Sequence, residues 1–318
     1  MLRHRNIGID TLKVLACLAV VSLHFGCGGF GRRLAVPIFI FFSCYLYSCK
    51  GRPGSIIDKL LRLWIPFLVW GMFGLIVFCL IHKGLSWCDV AWQLTFGYPA
   101  AQHLYYLIDL IIITSAIWMI RRVASKTYAD VALVVLLVVC VVFQYAGLNY
   151  KLLGELPLNM RYTLGRLAEL FPCAIAGDMI GGARLIDRYP KGSCICAGLS
   201  FIVALFVFVV YRVMPDGFGY QGLLPLLMAI GICVMAIVSG DVISRWRVAQ
   251  YMWPITSIGA LTPGIYFMHD VVGKTICHLT KASHSNVLVL IVFAVSGILT
   301  WLLLRYRFSK WMISGRLR

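Results

Sequence analysis

Charged side chains are scarce in this sequence, and acidic ones are the scarcest. Asp and Glu number only 12 among 318 residues, and all charged residues make up 13% of the chain, whereas an average soluble domain has about 25%. So few polar groups cannot cover the surface of a domain of this size in water. Since hydrophobic residues make up 61% of the chain, the composition predicts an integral membrane protein with several spans.

The sequence also lacks the short motifs of several enzyme classes. It contains no G-x-S-x-G elbow, no P-loop and no H-E-x-x-H. Most of the 12 cysteines lie within apolar runs, and the C-x-C of Cys194 and Cys196 has no second pair at zinc spacing. We therefore expect no metal site, and histidines, carboxylates and tyrosines are the titratable groups available for chemistry.

Ten segments are apolar over enough residues to cross a bilayer as helices, which takes about 20 residues. They are Ile9–Phe25, Leu34–Ser48, Leu63–Ile81, Leu104–Ile120, Val131–Ala146, Leu164–Gly181, Ile195–Tyr211, Leu223–Val238, Ile258–Cys277 and Val287–Leu304. We predict an all-α fold, a single integral-membrane domain over residues 1–318 built as a bundle of about ten transmembrane helices. An even number of spans puts both termini on one side of the membrane.

The positive charge of the chain is arranged by membrane side. The formal net charge is +17, but the basic residues form short clusters between apolar runs, which favours membrane topology and anionic headgroups over nucleic acid as their partner. With the N-terminus inside, 19 of the 29 Lys and Arg fall in inner segments and 8 in outer ones, while Lys13 and Arg166 lie within spans. The positive-inside rule therefore predicts that both termini are cytoplasmic.

The first apolar run carries two ionisable residues, Lys13 and His24. Arg3 and Arg5 before it resemble the start of a signal peptide, but the run is long and interrupted by Lys13, so we expect it to be retained. Eleven helical residues make nearly three turns, which puts both side chains on one face, roughly 16 Å apart along the axis. Either they are a snorkelling lysine and a hydrogen-bonded histidine, or they line a functional cavity with a cation at the inner end and a base at the outer end.

Further polar residues occur at the ends of later spans and within them, where ionisable groups are expensive and often functional. They are Lys59 and Arg62 before the third span, His103, Tyr106 and Asp109 in the fourth, Arg166, Glu169 and Asp178 in the sixth, and Tyr266, His269 and Asp270 in the ninth. Lys59 and Arg62, three residues apart, form either an ordinary inner cluster or a seat for a nucleotide phosphate. Arg166 and Glu169 either neutralise each other or act on a ligand, and we interpret Asp178 as structural.

Two motifs near the start of the chain resemble those of the membrane acyltransferase-3 family, whose members O-acylate bacterial surface polysaccharides. Lys13 and His24 match the family's R/K-x10-H and follow the usual Ile-Asp pair. The stretch VPIFIFFSCYLY (residues 36–47) resembles the second-span motif P-x-F-F-x-x-S-G-Y/F-L, with Cys44 in place of its glycine.

Three later motifs extend the resemblance over nearly the whole chain. KLLR, from Lys59 to Arg62, matches the family's R-x-x-R with lysine in place of the first arginine. HLYYL (residues 103–107) resembles H-L-W-F/Y-L, and GIYFMHDVV (residues 264–272) resembles the late G-I-Y-L-x-H segment. Each motif alone is weak, but five in order form a specific signal.

The resemblance implies a ten-span enzyme of the bacterial cytoplasmic membrane that uses cytosolic acyl-CoA to acylate a sugar hydroxyl, and we expect the acyl group to be acetyl. His24 would act as general base, with Lys13 guiding the donor, and a transient acyl-histidine is the rival mechanism. The donor phosphates would bind Lys59, Arg62, Arg121 and Arg122. The acceptor side would be lined by His103, Tyr106, Arg166, Glu169, Tyr266 and His269.

The expected partners are a surface glycan or lipid-linked sugar acceptor and membrane lipids, without nucleic acid. A transporter or flippase for lipid-linked sugars, without acyl chemistry, is the alternative, because ionisable residues within spans suit it too. Consumption of the acyl-CoA thioester separates the two. The sequence does not identify the glycan acceptor or the acyl group. It also does not decide between direct transfer and an acyl-histidine intermediate, or whether the protein forms a homo-oligomer.

Overall fold

A computed structural model of the chain describes residues 6–26, 32–50, 56–82, 86, 90–92, 95, 102–145, 158–213, 223–244, 246, 251–281, 283–306 and 309–315. Every regular element in that part is a helix. The long helices are α1 (Ile7–Phe25), α2 (Arg32–Cys49), α3 (Ile56–His82), α4 (Tyr105–Val123), α5 (Lys126–Tyr145), α6 (Leu158–Gly182), α7 (Pro190–Val213), α8 (Leu223–Ser244), α9 (Trp253–Thr280) and α10 (Asn286–Arg305). One-turn helices precede α4, follow α6 and follow α10, at Gln102–Leu104, Leu185–Arg188 and Trp311–Ser314.

The predicted helical fold is confirmed over the described residues, since each of the ten apolar segments falls on one long helix. Five of these helices, α1, α3, α5, α8 and α10, are long and apolar enough to cross a membrane. Helices α4, α6 and α9 contain the ionisable residues discussed above, which lowers their hydropathy. The protein is therefore a helical membrane protein, while the number of ten spans and the cytoplasmic termini stay predictions.

The chain divides into two compact units, which we describe separately. Unit 1 comprises Met1–Lys13, Arg33–Pro53 and Ile112–Trp253. Within it α6 packs directly on α2, because Gly177 and Gly181 face the backbone of Phe41 and Tyr45, where any side chain would overlap it. Small residues at such positions let two membrane helices approach closely and gain dispersion contacts.

The start of α1 is fixed within unit 1 by Asn6. Its side-chain oxygen accepts a hydrogen bond from the backbone N–H of Ile9 at 3.1 Å, which satisfies one free donor of the first helical turn. Its amide nitrogen donates to the carbonyl of Ile237 in α8 at 2.8 Å. One polar residue thus caps α1 and joins it to a second helix.

Unit 2 comprises Val14–Arg32, Gly54–Ile111 and Pro254–Arg318. Its long helix α9 contains Pro263, whose missing N–H leaves the carbonyl of Gly259 without its usual helical donor. The hydroxyl of Thr262 donates to that carbonyl instead, at 3.0 Å. One residue further on, Gly264 lies against Thr300 of α10 with no room for a side chain, so α9 and α10 pack tightly just before the segment that carries Tyr266 and the residues after it.

Candidate active site

Three histidine rings from distant parts of the sequence meet in unit 2. The ring centroid of His269 lies 5.1 Å from that of His24 and 4.8 Å from that of His103, and the centroids of His24 and His103 are 6.2 Å apart. His103 and His269 are 2% and 0% exposed, while His24 is half-buried. The sequence selected all three residues, and the fold brings them together; we call them the histidine cluster.

The position of His24 is fixed by its neighbour Phe25, the last residue of α1. The ring of Phe25 lies directly on Gly273 of α9, where a Cβ would overlap it. The carbonyl of Phe25 accepts a hydrogen bond from the backbone N–H of Ser285 at 2.9 Å, and the Ser285 hydroxyl caps α10 by accepting from Leu288 at 3.1 Å. The end of α1 is thereby held by α9 and by the start of α10.

The tautomer of His269 follows from its contact with its own helix. Its Nδ1 lies 2.6 Å from the carbonyl oxygen of Tyr266, and a carbonyl oxygen can only accept, so Nδ1 carries the hydrogen. In the neutral ring the lone pair is therefore on Nε2. Among the described residues Nε2 has no hydrogen-bond partner, although it is buried. The ring therefore presents an available proton acceptor inside the histidine cluster.

His103, in the turn before α4, is tied to α9 through both its ring and its backbone. Its Nε2 lies 3.2 Å from the carbonyl oxygen of Phe267, and its Nδ1 lies 3.4 Å from the Asp270 carboxylate. Its own carbonyl accepts a hydrogen bond from the Tyr266 hydroxyl. Because both ring nitrogens face oxygen atoms of α9, the nitrogen that carries the hydrogen in the neutral ring is directed at α9, whichever of the two it is.

Asp270 carries the negative charge of the site. Its carboxylate accepts a hydrogen bond from the ammonium group of Lys274, one turn further along α9, at 2.8 Å. The Asp270 side chain is 6% exposed and that of Lys274 is 41% exposed. A lysine near the surface thus offsets the charge of a buried carboxylate. A buried carboxylate needs such a partner, because leaving water costs several kcal/mol.

An aromatic wall adjoins the histidine cluster. The Tyr266 ring centroid lies 5.7 Å from that of His269 and 5.1 Å from that of Tyr106 on α4, and both tyrosines are buried. Asp109, three residues after Tyr106, is fully buried as well. In the described part of the chain no three His, Cys, Asp or Glu side chains converge as metal ligands. What the site offers is acid–base chemistry beside aromatic surface.

The predicted donor-side cations lie on α1 and at the start of α3. Lys13 is half-buried on α1, which runs unbroken through His24. Lys59 is half-buried and Arg62 exposed, in the first two turns of α3, and the backbone of Arg62 packs against Gly315. The binding of donor phosphates by these cations stays a prediction.

Arg121, at the last turn of α4, has partners of its own within unit 1. Its Nε and Nη2 donate to one carboxylate oxygen of Asp178 at 3.0 and 2.9 Å, and its Nη1 donates to Asp130. The other oxygen of Asp178 accepts from the Ser48 hydroxyl. Two carboxylates thus offset the charge of Arg121, and Asp178 joins α2, α4 and α6 as a structural residue, as the sequence indicated.

A cavity of about 490 Å³ adjoins this network, lined among others by Ser48, Arg121, Lys126 and Asp130.

The remaining predicted site residues lie on α4 and α6. Arg122, the residue after Arg121 on α4, is exposed. Arg166 and Glu169 are half-buried on α6, and Arg166 Nη2 lies 3.5 Å from the Thr163 hydroxyl. Arg121, Arg122, Arg166 and Glu169 belong to unit 1, and the histidine cluster belongs to unit 2.

The sequence reasoning did not select Phe25, Gly273 or Lys274 as parts of the site. Lys274 had a recognisable signal, since Asp and Lys four residues apart on a helix form a common ion pair. It was counted with the outer segments although the ninth predicted span contains it, and the structure likewise puts it inside α9. Phe25 and Gly273 gave no signal, because their contact joins positions almost 250 residues apart and depends on tertiary packing.

Comparison with known proteins identifies the family of the chain. No curated protein and no solved structure matches the chain. The profile of a family described as an acyltransferase domain, however, matches residues 6–306, which include every helix that contributes to the histidine cluster. Because the match extends over nearly the whole chain, the protein belongs to the acyltransferase-3 family and is a membrane-embedded acyltransferase.

Proposed function

We propose that the protein is an O-acyltransferase of the bacterial cytoplasmic membrane. It moves an acyl group, acetyl in this proposal, from cytosolic acyl-CoA to a hydroxyl of a cell-envelope glycan or its lipid-linked precursor. The observation that supports this most is the histidine cluster, in which half-buried His24 lies against two buried histidines. A half-buried imidazole is accessible to a substrate while its protein neighbours fix its orientation.

In the proposed reaction His24 is the general base. A neutral His24 nitrogen takes the proton of the acceptor hydroxyl as that oxygen attacks the thioester carbonyl. The new C–O bond forms, the C–S bond breaks, and the thiolate of CoA takes up the proton that His24 held. The rival order begins with His24 attacking the thioester itself, followed by transfer of the acyl group from the imidazole to the hydroxyl.

The donor binds from the cytoplasmic side. Its phosphates are too highly charged to enter the membrane, so Lys59 and Arg62 at the start of α3 hold them, and the thin acyl-pantetheine arm passes Lys13 towards His24. A lysine in place of the usual arginine keeps the charge but loses the planar two-point contact with phosphate. Arg122 stays a secondary contributor, and Arg121 is the weakest candidate because Asp130 and Asp178 offset its charge.

The acceptor lies on the other side of His24 in this proposal. Tyr106 and Tyr266 supply aromatic surface and His103 and His269 supply polar atoms, a combination suited to a sugar ring. Arg166 and Glu169 on α6 remain proposed acceptor residues.

The test is acyl-CoA consumption and glycan O-acetylation by a folded His24→Ala variant. Loss of a general base lowers the rate by about 10²–10⁴-fold, and we expect both readouts to fall together. His278→Ala is the matched control, because His278 is an exposed histidine on α9. Full activity of His24→Ala contradicts the histidine mechanism, and wild-type protein that neither binds nor consumes acyl-CoA favours transport of a lipid-linked sugar instead.

A further inference from the structure

We propose that His269 is the positioning residue of His24. Its Nε2 accepts the N–H of one His24 nitrogen, so that the other nitrogen of His24 presents its lone pair to the acceptor hydroxyl. This inference rests on the proposed function, because it explains how His24 acquires the tautomer that a general base needs.

The role follows first from the tautomer of His269. The 2.6 Å contact with the Tyr266 carbonyl commits the hydrogen to Nδ1, so the neutral ring can only accept at Nε2. His269 is 0% exposed, and no described residue satisfies Nε2. Buried polar atoms are nearly always hydrogen-bonded, and an exception asks for a functional explanation.

The ring spacing fits such a bond. With an N···N distance of about 2.9 Å and each nitrogen about 1.1 Å from its ring centroid, two imidazoles joined edge to edge have centroids about 5 Å apart. The centroids of His24 and His269 are 5.1 Å apart, with an angle of 52° between the ring planes. The two rings are therefore at the separation that a bond from a His24 N–H to Nε2 of His269 requires.

His103 cannot take this role, although its ring is also near His24. Both of its nitrogens face acceptors, the Phe267 carbonyl and the Asp270 carboxylate, and Lys274 holds that carboxylate from the other side. Both nitrogens of His103 are therefore directed at α9, and neither is open to an N–H of His24. Of the two buried histidines, only His269 has a lone pair directed away from its own hydrogen bonds.

The proton path then balances. The hydroxyl proton moves to one nitrogen of His24, and the proton on its other nitrogen moves onto Nε2 of His269 as the new C–O bond forms. When the C–S bond breaks, the thiolate takes a proton and both histidines return to the neutral state. The reaction therefore needs His24 and His269 neutral together, which gives the inference a measurable signature.

That signature is the acid side of the pH–rate profile, measured as thiol release from acetyl-CoA by the full-length protein in native membrane vesicles. The two rings titrate as a coupled pair, so their protons are added in two separate steps, and the logarithm of kcat falls with slope 1 below the first step and with slope 2 only below the second. The other ionisable groups that face His269 are His103 from the turn before α4 and Tyr266 and Asp270 from α9. All of them remain in the variants below, so a change of slope belongs to position 269.

Two variants distinguish the effect of losing the Nε2 lone pair of His269 from the effect of losing its packing. His269→Asn keeps a donor near the Tyr266 carbonyl but removes the atom at Nε2, and we expect kcat to fall about 100-fold with KM for acetyl-CoA within about 2-fold. His269→Gln supplies an oxygen acceptor that cannot be protonated, and we expect it to recover part of the rate with the acid slope reduced to 1. His278→Asn and His278→Gln are the matched controls.

A structural role for His269 would lower the rate equally in both variants and leave the slope unchanged, and that result overturns the inference. Wild-type vesicles that release no thiol above vesicles lacking the protein, or a fully active His24→Ala, overturn the proposed function itself. A normal His24 dependence with an unchanged His269 profile overturns only the inference.

Discussion

The carboxylate of Asp270 lies between the ammonium group of Lys274, at 2.8 Å, and Nδ1 of His103, at 3.4 Å. One acidic side chain thus joins a residue near the surface of α9 to a ring of the histidine cluster. Because Asp270 is buried and Lys274 is 41% exposed, the two partners of this ion pair contribute unequally to stability.

Replacement of Lys274 should therefore be more harmful to folding than replacement of Asp270, because it leaves a buried carboxylate unpaired, whereas loss of Asp270 leaves a lysine that water can solvate. Asp270→Asn keeps the shape but removes the charge that both partners face, and we expect it to destabilise the fold by about 1–3 kcal/mol and to lower activity by disordering His103. Lys274→Gln leaves the buried Asp270 carboxylate without its cation and should cost about 3 kcal/mol, the lower end for an uncompensated buried charge, because Lys274 is itself 41% exposed. Unfolding midpoints in detergent and acyl-CoA turnover check both variants, and equal effects of the two would contradict the burial argument.

The contact of Phe25 with Gly273 predicts a substitution that can be rescued. Gly273→Ala places a methyl group where the Phe25 ring lies, and overpacking of this kind costs about 1–3 kcal/mol. Since Phe25 adjoins His24, we expect turnover to fall as well.

Shortening the ring should relieve the overlap. The atoms nearest to the new methyl group belong to the far end of the ring, which leucine lacks, so Gly273→Ala combined with Phe25→Leu should recover part of the lost turnover. The measurement is a double-mutant cycle, in which turnover and the unfolding midpoint are compared for the wild type, the two single variants and the double variant. Strictly additive losses would mean that the two positions do not act through this contact.

The features that the sequence predicted correctly are those that depend on residues close together in the chain. Apolar length identified the long helices, and His24, His103 and His269 stood out because an ionisable group in an apolar run is costly and needs a reason. Asp178 was interpreted as structural from its place near a helix end, and it binds Arg121.

The parts that the sequence did not predict depend on tertiary contacts. Assigning Arg121 to the donor phosphates relied on its basic charge alone, and nothing near it in the sequence indicates that Asp130 and Asp178 take up its donors. The same holds for the tautomer of His269, which is decided by a 2.6 Å contact with the Tyr266 carbonyl. A helical pattern places these two residues three apart but cannot say which ring nitrogen faces the backbone.

The Arg121 network should respond to mutation as a structural unit. Arg121→Ala leaves the buried Asp178 without its cation, and we expect a loss of about 3–5 kcal/mol, as for other broken buried ion pairs. Asp130→Ala should cost much less, because its side chain is 37% exposed. Arg122→Ala is the matched control for stability, since Arg122 is the adjacent arginine and is exposed. If Arg121→Ala unfolds at the same midpoint as Arg122→Ala, the network does not hold α4 to α6.

The cations at the start of α3 should act on donor binding and not on the chemical step. Lys59→Gln and Arg62→Gln each remove one charge that the proposal assigns to the CoA phosphates, so KM for acetyl-CoA should rise several-fold with kcat nearly unchanged. Lys59→Arg restores the planar fork and should lower KM below the wild-type value. The measurement is steady-state thiol release at two salt concentrations, because contacts between exposed charges weaken as salt rises.

Acetyl-dephospho-CoA is the control donor, because it lacks one phosphate group of acetyl-CoA. The ratio of the KM values for the two donors should therefore be smaller in the Gln variants than in the wild type. An equal KM ratio for the two donors in all variants would remove Lys59 and Arg62 from the site that binds that phosphate.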